Sequence, residues 1–78
     1  MNQQLIFNND FYFENVRQAV CFSCLVGGLK VCCYIALPPD VTANSFLQQV
    51  QAEAFSWEDA AEQAIAEQAY NNAGEIWL

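Results

Sequence analysis

Four cysteines, Cys21, Cys24, Cys32 and Cys33, are the residues of this chain whose type and spacing best suit chemistry. Cys21-x-x-Cys24 followed by Cys32-Cys33 offers four thiolates, the donor set of a structural zinc site. Such a site requires all four to converge, and on a regular strand residues three apart point to opposite faces. Zinc would need the strand to break into a knuckle, whereas the apolar alternation around Cys21 and Cys24 describes an unbroken strand. Small buried hydrophobes are the simpler role for these thiols. Catalysis at a cysteine needs an activating base, and the chain has no histidine. Lys30 shares a strand face with Cys21 and Cys32 but is a lone activating group. The carboxylates Glu58, Asp59, Glu62 and Glu67 read as the solvated face of a helix, the early acids complementing its dipole. Gly27-Gly28 joins two extended runs and does not precede a helix, so it is not a phosphate-cradling loop. The expectation is a chain without catalytic residues, metal or cofactor.

The element that positions the thiols is a β-hairpin from Ala19 to Ala36, closed by Gly27-Gly28. A two-residue primed turn needs positive φ, which glycine adopts without steric penalty. That turn pairs Val26 with Leu29, Cys24 with Val31, Phe22 with Cys33 and Val20 with Ile35. These eight residues form one wholly apolar face, while Cys21, Ser23, Leu25, Lys30, Cys32 and Tyr34 occupy the other. A slip of one residue on one strand would mix the two sets. In this register Cys24 with Cys33, and Cys21 with Cys32, are same-face diagonal pairs at ~7 Å or more, too far for an unstrained disulfide.

Upstream, Gln4 to Phe7 and Phe11 to Phe13 read as one first strand interrupted at Asn8-Asn9-Asp10. Pro38-Pro39 ends the hairpin. Ser45 to about Tyr70 lacks Gly and Pro and is rich in Ala, Gln and Glu, which predicts a helix. At ~100° per residue Phe46, Leu47, Val50, Ala54, Trp57, Ala61, Ala64 and Ile65 form one stripe. That favours a continuous or slightly bent helix; Ser56-Trp57-Glu58-Asp59, an N-cap pattern, supplies the alternative of a second helix starting there. Asn71-Asn72-Ala73-Gly74 ends it, and Glu75 to Leu78 reads as a closing strand. The predicted class is α+β: a three-stranded antiparallel meander plus a C-terminal strand, order β-β-β-α-β, one face covered by a long helix, continuous or broken.

Seventy-eight residues make one domain, 1–78, too short to bury a large fraction of its surface. At 55% hydrophobic residues the chain is too apolar for disorder. Nine acids face only Arg17 and Lys30, a net charge of -7, which disfavours nucleic acid and anionic membrane surfaces as partners. No signal-peptide core or membrane-length apolar run is visible, so the expected location is the cytoplasm, with free thiols.

The hairpin's second face is only partly polar, and the aromatic residues outnumber what one small core can hold. Exposed apolar patches mark interfaces, so this face, or the edge of the first strand, is expected to make a homodimer or dock a protein partner, with Cys21, Leu25, Tyr34, Phe11 and Tyr12 as the candidate contact residues. The alternative is a small-molecule pocket between helix and sheet, lined by Phe22, Cys33 and Trp57.

Asn2-Gln3 with Ile6-Phe7, Ala19-Val20-Cys21-Phe22, Gly28 through Ile35, and Phe55 to Ala69 closing on Gly74-Glu75-Ile76 resemble the small bacterial family called domain of unknown function 1488. The resemblance runs over most of the chain and implies a compact α+β fold. It implies no activity. The expected role is a small, non-catalytic domain working through protein contact or self-association.

Overall fold

The computed structural model describes residues 5–78, so Asn2, Gln3 and Gln4 lie outside the described residues. In chain order the elements are β1 (Leu5–Phe7), β2 (Tyr12–Glu14), β3 (Ala19–Val26), β4 (Leu29–Ala36), α1 (Ala43–Ala52), α2 (Ala54–Ala66) and β5 (Ile76–Trp77). The β3–β4 hairpin is the frame. Gly27 and Gly28 take φ of 58° and 89°, the positive pair that a primed turn demands. The predicted register follows, with Val26 opposite Leu29, Cys24 opposite Val31, Phe22 opposite Cys33 and Val20 opposite Ile35. Leu29 departs from its face: beside the turn, at the end of the sheet, it is 74% exposed.

The first strand is interrupted as its turn-forming residues predict. β1 and β2 share one lane along β3, with Phe7 opposite Cys24 and Tyr12 opposite Cys21. Asn8 to Phe11 therefore stand opposite only Phe22 and Ser23. The ladder groups of Ser23 are satisfied without a regular partner: its carbonyl accepts from Asn8 N–H at 3.2 Å and its N–H donates to Asp10 Oδ1 at 2.8 Å. Asn9 makes the detour in the left-handed region at φ 56°.

Sheet order is β1/β2, β3, β4, β5, and β5 runs parallel to β4, which makes the sheet mixed rather than wholly antiparallel. The reason is the crossover. The helical segment carries the chain back along the sheet to the end where β4 began, and a strand entered that way must be parallel.

The helical region is two helices, not the continuous one favoured from composition. The break is at Glu53 (φ -108°, ψ 27°), three residues before the Ser56 cap pattern. Glu53 N–H reaches both Gln49 O and Val50 O at 3.1 Å, so the last turn of α1 tightens before α2 restarts. The apolar stripe survives the break: Phe46, Val50, Ala61 and Ile65 are buried, with Leu47, Trp57 and Ala64 packed beside them. α1 begins at Thr42, whose Oγ1 accepts from Ser45 N–H at 3.2 Å. α2 ends before Tyr70. Gln68 N–H bonds Ile65 O and Ala69 N–H bonds Ala64 O, both at 3.0 Å, a Schellman ending with Gln68 rather than Gly or Asn in the left-handed position.

The core lies between the helices and the even-numbered residues of β3. Val20, Phe22, Cys24, Val26, Val31, Cys33, Ile35 and Ile76 meet the helix stripe there. Phe11 stacks on Phe22 with centroids 4.8 Å apart. Among the described residues no helix is long and apolar enough to cross a membrane.

Candidate interaction face

Among the described residues the opposite side of the sheet carries no helix and is built by the odd residues of β3 and the even residues of β4. Register aligns Tyr12, Cys21, Tyr34 and Trp77 in one row across four strands. Beside it run Ser23 with Cys32, and then Ile6 with Leu25 and Lys30. Strand alternation alone creates these rows, because each strand sends every second side chain to this face.

At the β5 end the row is closed by the chain's own residues. Trp77 stacks on Tyr34 at 4.9 Å, and the Arg17 guanidinium lies 5.0 Å from the Tyr34 ring centre. Arg17 is held there by an ion pair of 3.0 Å with Glu75. Asn71 Nδ2 donates to Glu75 Oε1 at 3.1 Å, and that bond leads the effects holding the Glu75 carboxyl below its ordinary value. Tyr34 is consequently 5% exposed and Cys21 1% exposed, although both belong to a face without a covering layer.

At the β1/β2 end the row is braced by Asp10 and Ser23. Ser23 Oγ donates to Asp10 Oδ2 at 2.5 Å and accepts from Asn8 Nδ2 at 2.9 Å. Partial burial works against the charged Asp10 carboxylate. The Ser23 hydroxyl and N–H outweigh it and hold the group below its ordinary value of 3.8.

Between the two ends Tyr12, Cys21 and Tyr34 favour their neutral forms. The Tyr12 hydroxyl is pushed up to about 12, first by its hydrogen bond with the Cys21 thiol. Burial pushes the Cys21 thiol and the Tyr34 hydroxyl up as well. Raised thiol values run against thiolate nucleophilicity.

The candidate contact residues thus divide. Leu25 is half-buried and Tyr12 47% exposed on the uncovered face, Cys21 and Tyr34 are on it but covered by their own chain, and Phe11 is on the helix side against Phe22. Of the residues assigned above to a pocket, Phe22 and Cys33 are buried in the core cluster and Trp57 packs against that cluster. Interaction with Cys24 and burial both push the Cys33 thiol up. The four thiols are shared two and two between the faces, Cys24 and Cys33 toward the helices, Cys21 and Cys32 away from them, as their register predicts. Trp77 and Ile6 were missed as members of this face, although alternation beside Ile76 and Phe7 marks both. Nothing local signals Arg17, whose role depends on Tyr34 and Glu75.

The sequence profile of the family described as "protein of unknown function (DUF1488)" matches residues 5–78. The chain belongs to the DUF1488 family. A crystal structure of a DUF1488 protein of unknown function from Shewanella loihica PV-4 is similar to it at a TM-score of 0.88 and 23% identity. The alignment covers 100% of this chain and 94% of that one, so the fold is shared along the whole length. No curated protein matches the chain. The DUF1488 description assigns no activity.

Proposed function

We propose that the chain is a non-catalytic domain of the bacterial cytoplasm that acts by protein contact through the uncovered face of its sheet. The observation that carries this reading is the apolar character of a face that no layer covers among the described residues: Ile6 is 45%, Tyr12 47% and Trp77 42% exposed, around half-buried Leu25 and Cys32. An antiparallel sheet open to water normally alternates toward polar residues on its wet side. Here that side holds a Tyr-Cys-Tyr-Trp row and an Ile-Leu pair, the composition of an interface centre. The raised Cys21 thiol and Tyr12 phenol on this face and the lack of histidine support a contact role over a catalytic one. A photo-reactive phenylalanine at Leu25 in the native cell is expected to form protein adducts, and the same group at Gln63 on α2 to form none. Equal labelling at both positions would remove the reading.

One observation favours a second reading, a small-molecule site between helix and sheet. Trp57 Nε1 is buried without a hydrogen-bond partner among the described residues, and a buried indole N–H ordinarily has one. A ligand with an acceptor atom, held beside Phe22 and Cys33, would satisfy it. Native mass spectrometry of protein purified from its own cell, with Trp57→Phe alongside, tests this. A bound mass lost in the variant supports the site, and an unliganded mass in both excludes it.

A further inference from the structure

Resting on the protein-contact reading above, we propose that the occupant of the uncovered face is a second copy of the chain, the two sheets packing face to face. Charge makes the sheet face, and not the helical layer, the one that a second copy can use. Six of the nine acids, Asp40, Glu53, Glu58, Asp59, Glu62 and Glu67, lie on the helical layer or its approach, which holds no cation. Asp10, Glu14 and Glu75 lie on the sheet side with both cations, Arg17 and Lys30, so three acids against two cations leave that side at -1. A patch that docks its own image must not repel itself, because an isologous contact sets each charge among copies of its neighbours. The helical layer fails that condition and the sheet face meets it. An outside partner chosen for this chain's strong acidity would be basic and would seek the helical layer; a near-neutral apolar face has no such preference.

Shape agrees with charge. The Cα trace is 17 Å deep in its thinnest direction, one helix layer on one sheet, so half of a sandwich is present. A second sheet about 10 Å away would cover Ile6, Tyr12, Leu25 and Trp77. The twenty-four strand residues, at ~3.3 Å rise and ~4.8 Å between lanes, outline a flat footprint of roughly 400 Å² on each copy. That is below a standard-size interface, so a weak dimer that dissociates in the micromolar range is expected.

Cys32 is the reporter, because it alone of the four thiols is partly exposed and it sits within the face. Sedimentation velocity of the full chain from about 1 to about 500 µM, with iodoacetamide labelling of Cys32 at each concentration, is the test. The expected result is a monomer–dimer equilibrium with Cys32 labelling slowed in the dimer. Leu25→Lys and, independently, Tyr12→Lys should each weaken association at least tenfold with an unchanged far-UV spectrum, and Gln63→Lys should not. If one sheet variant fails to fold, the other carries the test. A dimer indifferent to both sheet variants overturns the proposal. A monomer throughout whose Cys32 labels quickly when pure but slowly in native cell extract overturns the second copy and leaves the contact reading standing. Fast labelling in both settings removes both.

Discussion

The two faces of one sheet are buried by different means. Toward the helices, Val20, Phe22, Cys24, Val31, Cys33 and Ile35 are covered by a second layer, and their packing is aliphatic and aromatic, its side-chain polar atoms being the thiols and the Trp57 indole N–H. Away from the helices, Ala19, Cys21 and Tyr34 are buried almost as deeply by neighbours in their own sheet: a stacked Trp77, an Arg17 tied to Glu75, and Ser23 pinned by Asp10. A layer buries by area; an uncovered sheet hides its centre by directional contacts and leaves its margin exposed. Hydrophobic burial dominates the first face and geometry the second, so the two respond differently to substitution.

The largest effect is expected on the helix side. Phe22→Ala removes the ring on which Phe11 and Phe7 rest and should cost about 3–5 kcal/mol. A chain of this length has total stability of the same order, so chemical denaturation should find the variant largely unfolded at 25 °C. On the other side Asp10→Ala strands the Ser23 N–H and hydroxyl and should cost about 2 kcal/mol. The Asp10 carboxyl is depressed in the fold, so its contribution is complete above its unfolded value of 3.8 and is lost as pH falls through the lower folded value. Urea midpoints below about pH 4 should therefore converge for the natural chain and Asp10→Asn.

A pair of thiol substitutions sharpens the contrast. Cys33→Ser places a hydroxyl in an apolar cluster and should cost about 1–3 kcal/mol. Cys21→Ser, which has the Tyr12 and Tyr34 hydroxyls beside it, should cost clearly less in the same thermal melts; equal costs would mean that the faces do not differ in polar tolerance. The smallest expected effect touches neither face. Gln68→Gly relieves a left-handed residue at the end of α2 and should stabilise by roughly 0.5–1 kcal/mol.

Much of this was legible from residue order. Gly27-Gly28 and the flanking alternation specify the hairpin register and assign each thiol to a face, because both depend on neighbours two residues apart. The stripe from Phe46 to Ile65 likewise names the buried side of the helices. The break at Glu53 was not legible: no Gly or Pro marks it, and an N-cap pattern at Ser56 points three residues too far on. That Phe11, a candidate contact residue, packs against Phe22 on the helix side was not legible for a related reason. The detour at Asn8 to Asp10 resets strand alternation, and only its anchoring to Ser23 shows by how much.

The contact reading divides in the same way. Residue types alone announced more aromatic side chains than one core can hold, but not which of them are left outside.

What the amino-acid order determined by itself is periodic and local: two strands, their turn, their pairing, the apolar side of a helix and an acidic balance. What the tertiary structure decided is everything that joins distant segments: the parallel return of β5 after the crossover, Arg17 and Trp77 closing over Tyr34, and Asp10 replacing a missing ladder partner. The reason is physical. A side chain's direction follows from its own backbone period, whereas its cover depends on where other parts of the chain come to rest.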